Sequence, residues 1–322
     1  MLDFAYLTNN PSNDIQYFTG NIGNWFTWKK PRGAKLIYMF GVGGGASGGC
    51  GINTGVSSGG GAGGASGMQT SLVIPAFFVP DILYVQCGAG GKQPTVLVSG
   101  ALGVAGSPTF VNIVPDSSQA GFNSVSFLYA AGANATVTAP TTTAGGGTGT
   151  AVTTLIQFQW LGLKGMSNPI QNNVLGTAGG TSTGAGVSLS YYSATNTFGN
   201  SVLGGSGGGG SSATPGAGGG ITSPGGSFSA DFLLPTTAGG AAASGATPAG
   251  DGAGGFKSRN QILNFGGYGG GGASTTAGGV AGRGGDGAPG CGGGGAGGSN
   301  TTNPTLARPG NGGDGFVYIV SV

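Results

Sequence analysis

Lys35-Leu36-Ile37-Tyr38-Met39-Phe40-Gly41-Val42-Gly43-Gly44-Gly45-Ala46-Ser47-Gly48-Gly49 changes character in the middle. Its first half is apolar and β-prone, and its second half is almost free of side chains. The same junction recurs along the chain. Gly-rich tracts lie at 41–67, 88–91, 145–149, 204–220, 238–255 and 266–298, and short strand-like runs separate them. These runs are 35–40, 71–74, 82–85, 95–98, 110–114, 124–129, 154–158 and 316–320, with an alternating stretch at 187–191. β-branched and aromatic runs bounded by Gly, Pro and Asn read as strands. The 79 glycines and 16 prolines make up roughly 30% of the 322 residues, and no Glu occurs. With few helix formers the sequence predicts little or no α-helix.

An ordered glycine tract needs a source of stability other than side-chain burial. Fixing each backbone residue costs about 1–2 kcal/mol, and glycine loses the most freedom. Collagen requires glycine at every third position, and Gly204-Gly205-Ser206-Gly207-Gly208-Gly209-Gly210 breaks that period. Extended left-handed helices can satisfy their outward N–H and C=O groups from neighbours, provided no Cβ keeps them apart. The fold expected is all-β: a β-sandwich-like core with the tracts either packed beside it as polyglycine II helices, which the reading favours, or arranged as irregular loops. Three segments follow: 1–94 with the N-terminal strands and first tract, 95–203 as a Gly-poor β-rich insert, and 204–322 as a Gly-rich region with a closing strand.

Composition removes much chemistry. His is absent, so His-based triads, His-ligated metals and the usual pH switch are excluded. The net charge of +2 indicates no nucleic-acid tail. Cys50, Cys87 and Cys291 lie far apart with no C-x-x-C pair and read as inert buried thiols. Residues 1–10 carry no basic stretch followed by an apolar one, so no secretory signal is expected. The apolar run 72–85 is too short to cross a bilayer, so no membrane insertion is expected. Gly43, Gly45 and Gly48 match G-x-G-x-x-G, a spacing that chance supplies in so Gly-rich a chain, and no acidic residue follows at the ribose-binding distance. The Gly-Asp-Gly triplets at Asp251, Asp286 and Asp314 read as tight turns rather than calcium sites. Eight isolated Asp and no Glu give no recognisable glycosidase pair. No catalytic residue, cofactor or metal is assigned.

Two groups remain as candidate contact residues. Trp25, Trp28, Lys29, Lys30 and Arg32 interleave aromatics with basic residues, a composition suited to partner docking; the competing reading is a solvated turn with the aromatics in the core. Tyr191 and Tyr192, with Tyr129 and Phe122 nearby, would suit glycan or protein contact if exposed, and a sandwich core if not.

The segment from Trp28-Lys29-Lys30-Pro31-Arg32-Gly33 through the strand at 35–40 into Gly43-Gly44-Gly45 resembles the opening of glycine-rich bacteriophage structural proteins. The ending Gly310-Asn311-Gly312-Gly313-Asp314-Gly315-Phe316-Val317-Tyr318-Ile319 is similar to their closing motif. The resemblance covers about 25–70 and 204–322 and leaves out 95–200. It implies pairing of the last strand with the first, and a non-enzymatic tail-fibre, tail-tip or surface-spike protein on the particle exterior that contributes to host attachment. It also implies a homo-oligomer, a trimer by preference, with other virion proteins and a host-surface glycan or protein as partners and no nucleic acid. A capsid decoration or assembly protein without a receptor is the alternative, and a cellular Gly-rich wall protein a weaker third.

Overall fold

A computed structural model describes residues 14–20, 23–53, 57–95, 97–117, 126–149, 167–168, 176–190, 204–212, 214–222, 238–244, 248–255, 266–267, 269–270, 273–274, 280–300 and 306–322. Its strands in chain order are β1 (Asp14–Thr19), β2 (Phe26–Lys29), β3 (Leu36–Val42), β4 (Gln69–Pro75), β5 (Ile82–Gln86), β6 (Thr109–Asn112) and β7 (Ser126–Ala130). Seven short ones follow: β8 (Thr136–Thr138), β9 (Gly147–Gly149), β10 (Ser167–Asn168), β11 (Leu189–Ser190), β12 (Ile221–Thr222), β13 (Ala243–Ser244) and β14 (Ala273–Ser274). The last is β15 (Phe316–Ser321). Among the described residues the only helical element is a three-residue 3-10 turn, Ala76–Phe78. The fold is all-β, as the composition predicts.

Two antiparallel sheets face each other. One runs β1-β15-β3-β4-β10 and the other β2-β5-β6-β7. β15 pairs with β3 from Phe316↔Val42 to Ser321↔Ile37, and β1 adds outside it. Alternation decides the packing: Ile37, Met39, Leu72, Ile74, Val317 and Ile319 point inward from the first sheet. Trp28, Leu83, Val85, Val111, Phe127 and Leu128 meet them from the second. The division drawn at 94/95 falls inside the second sheet, because β6 pairs with β5 and β7 with β6.

Three strand expectations need comment. Residues 95, 97 and 98 are not in a strand. The chain turns there, with Gly100 at φ 73° and Ala101 N–H bonded to the Val98 carbonyl, which redirects it along a glycine tract. β1 and β2 were not anticipated, since polar residues (Asp14 and Gln16 in β1, Thr27 and Lys29 in β2) interrupt their apolar ones. The runs at 154–158 and residue 191 lie outside the described residues, while Leu189–Ser190 forms a parallel pair with Ile221–Thr222.

The glycine tracts form a second body of structure held chiefly by backbone hydrogen bonds. Residues 43, 46, 49 and 52 donate to the carbonyls of 68, 65, 62 and 59; residues 44, 47 and 50 donate to 107, 104 and 101; residues 45 and 48 donate to 313 and 310. Consecutive residues thus turn to three different neighbours, and each neighbour is met at every third residue. Tract 291–299 lies at the centre. Its N–H groups reach the carbonyls of Ala46, Gly49 and Ile52, of Gly285 and Gly282, and of Ser206 and Gly209. Its carbonyls accept from Gly61 and Gly64, from Gly267 and Gly270, and from Gly310 and Gly313. Six neighbouring tracts surround it. This connectivity is what side-by-side extended helices of three residues per turn require.

Glycine is compulsory wherever a neighbouring carbonyl sits against the Cα. A Cβ at Gly45, Gly48 or Gly51 would lie 1.9, 2.1 or 2.3 Å from the carbonyl oxygens of Cys291, Gly294 and Gly297. On Gly60-Gly61-Ala62-Gly63-Gly64-Ala65, two of every three positions face such a carbonyl and the third admits a methyl group. Buried serines fill the wider gaps. Ser206 Oγ accepts from Gly269 N–H at 2.9 Å and donates to the Gly219 carbonyl at 2.6 Å.

Candidate functional site

The basic segment ends β2 and turns into β3. Ala34 N–H bonds to the Pro31 carbonyl at 3.4 Å, with Gly33 at φ 83° in the third turn position, a conformation that favours glycine. Lys30 is tied down: its Nζ lies 3.0 Å from Asp81 Oδ1 and donates to the Val79 and Ala76 carbonyls at 2.8 and 3.3 Å. It therefore neutralises the C-terminal end of the 3-10 turn. Lys29, Arg32 and Lys35 are exposed and form no ion pair among the described residues.

These residues border a surface depression of about 560 Å³. Lys29, Lys30 and Arg32 line it together with Ala76, Phe77 and Ile82. Phe77 is 77% exposed although it is a large apolar ring, and it stacks on Phe78 with centroids 4.0 Å apart. Ile82, opposite Lys29 in the sheet, is 44% exposed. Asp81 also lines the depression, but its charge is matched by Lys30. Lys29 and Arg32 therefore leave an excess of positive charge beside exposed apolar surface, which suits a ligand that carries both apolar surface and negative charge.

β2 is also the edge of its sheet. Lys30 N–H bonds to the Asp81 carbonyl, so in the antiparallel alternation Trp28 and Phe26 bond inward while Thr27 and Lys29 turn their N–H and C=O groups to the open edge. Both residues are exposed.

The five docking candidates divide. Lys29, Lys30 and Arg32 meet at the depression. Trp28 does not join them: it is fully buried between the sheets, because alternation along β2 turns it inward. That corrects its assignment as a contact residue. Trp25, at the opposite end of β2, packs on Phe110 with ring centroids 6.3 Å apart, beside Met68 and Tyr129. Tyr129 is buried as well. Tyr191, Tyr192 and Phe122 lie outside the described residues. Sequence reading missed Phe77; its only signal was the pair Phe77-Phe78 next to Pro80-Asp81, inside what read as an ordinary apolar run.

The Gly-Asp-Gly triplets do not form the tight turns expected of them; their aspartates bond across to neighbouring tracts. Asp251 Oδ1 accepts from Arg283 N–H, Asp286 Oδ1 from Asn311 N–H, and Asp314 Oδ1 from Gly90 N–H, at 2.7, 2.7 and 2.8 Å. The three thiols are buried and form no disulfide. Burial pushes Cys50 up to about 11 and Cys87 up to about 12, the latter helped by the Asp314 charge. No helix among the described residues is long and apolar enough to cross a membrane. No protein-family model and no curated protein matches the chain.

Proposed function

We propose that this protein is a non-enzymatic structural component on the exterior of a bacteriophage particle, in a tail fibre or tip, where it contributes to host attachment. The observation that carries the reading is tract 291–299, enclosed by six others and bonded to every one of them through main-chain N–H and C=O groups. Read as packed polyglycine II helices, these tracts would make a stiff body with little charge and few side chains for a protease to grip, properties an exposed appendage needs. The carboxylates support a structural role too. Asp251, Asp286 and Asp314 hold neighbouring backbone, and Asp81 holds Lys30.

The test uses particles of the phage that encodes the chain, with a label at its C-terminus. The label is expected at the tail in a few to a few dozen copies, and particles lacking the protein are expected to adsorb poorly. Absence from purified particles would overturn the reading. Hundreds of copies on the shell with normal adsorption would replace it with capsid decoration.

A further inference from the structure

We infer that the β2 edge and the adjoining depression form a docking site for an extended acidic segment of another protein, which adds as a strand along Thr27–Lys29. Three independent features converge there. Thr27 and Lys29 turn main-chain groups outward that find no partner among the described residues, the complement of an added strand. Lys29, Arg32 and Lys35 are three of the chain's ten cations, and they lack carboxylate partners among the described residues. Phe77 is a large ring left 77% exposed beside them. Strand addition draws affinity from main-chain bonds and specificity from alternate side chains. On this surface, acidic residues of the added strand would meet Lys29 and Arg32, and an apolar one would cover Phe77.

The occupant is a different protein. A second copy of this chain has no Glu, and its eight Asp stand at least eleven residues apart, so it has no acidic segment to offer. This inference rests on the reading of the chain as a particle component, where the partner would be its mount.

The experiment uses purified full-length protein and a short fluorescein-labelled peptide alternating Asp and Val, followed by anisotropy. Binding is expected to weaken as salt rises. A version with Lys for Asp should not bind. Reversing charge with Lys29→Glu and Arg32→Glu should weaken binding about tenfold or more. Thr27→Pro removes an outward-facing N–H without breaking a ladder bond, so it should weaken binding while the unfolding midpoint holds. In wild-type protein, peptide binding should slow hydrogen exchange at the Thr27 and Lys29 amides, a readout that needs no variant. Absence of acidic-peptide binding would overturn the inference. So would unchanged exchange at those amides, or a single-stranded oligonucleotide that displaces the peptide and binds more tightly. The adsorption experiment is unaffected by any of these results, so the two readings fail separately.

Discussion

Replacing Gly295 by Ala tests whether main-chain packing stabilises this protein. Gly295 is buried in the central tract, and a Cβ there would sit 2.1 Å from the Gly61 carbonyl oxygen and 2.8 Å from that of Ala62. Ordinary contact begins near 3.4 Å, so tract 59–64 would have to retreat by more than 1 Å. The bonds Gly61 N–H to Ala296 and Gly64 N–H to Gly293, both 2.8 Å, would then open. Groups buried in the lattice have no water to turn to, and losing two such bonds costs about 2–6 kcal/mol. Typical domains have only about 5–15 kcal/mol in hand. Gly254→Ala is the matched control. Its nearest neighbour would be the Asp286 carbonyl oxygen at 3.7 Å, and its φ lies outside the left-handed region. There Ala should be neutral, or stabilise by up to about 1 kcal/mol through the unfolded chain. Chemical denaturation of the purified variants reads both effects. Equal midpoints for Gly295→Ala and wild type would refute the argument, as would an equal loss in both variants.

Other expectations follow from the same contacts. Ser206→Ala removes a hydroxyl that joins Gly269 N–H to the Gly219 carbonyl, but those two groups keep their direct bond of 3.2 Å, so the loss should be only about 1 kcal/mol by denaturation. Asp286→Ala frees Asn311 N–H at a half-exposed site, so about 1 kcal/mol should be lost, with faster exchange at the Asn311 amide. Cys50 and Cys87 stay protonated in the folded protein far above the ordinary 9.0, so native protein at pH 8 should resist alkylation that denatured protein accepts. Because these pKa values are raised on folding, the stability they contribute is complete below about pH 9 and is lost between there and pH 11–12. Cys87→Ala should flatten that alkaline decline in a pH series of unfolding midpoints.

Much was legible in the sequence because it rests on local chemistry. Runs such as 36–40, 71–74, 82–85 and 316–320 are strands since their residues are β-prone and bounded by glycine. The absence of His, Glu and paired cysteines excludes whole classes of site before any folding. That the tracts would need a backbone partner also follows from composition alone, for they have little else to bury.

Tertiary structure decided the rest. Nothing in Gly292-Gly293-Gly294-Gly295 says that residue 293 bonds to 46, 294 to 285 and 295 to 206, because N–H and C=O groups are identical at every glycine and carry no address. Register is set by the sparse side chains that fill gaps, such as Ser206 and Ala46, and by the strands to which the tracts are joined. The same holds for the docking site. Trp28 and Lys29 are neighbours in sequence, yet a period of two sends one into the core and the other to the surface. Phe77 joins Lys29 only because β2 and β5 lie side by side. Residue type fixed what each segment needed, and only the assembled sheets and tracts determined which distant segment would supply it.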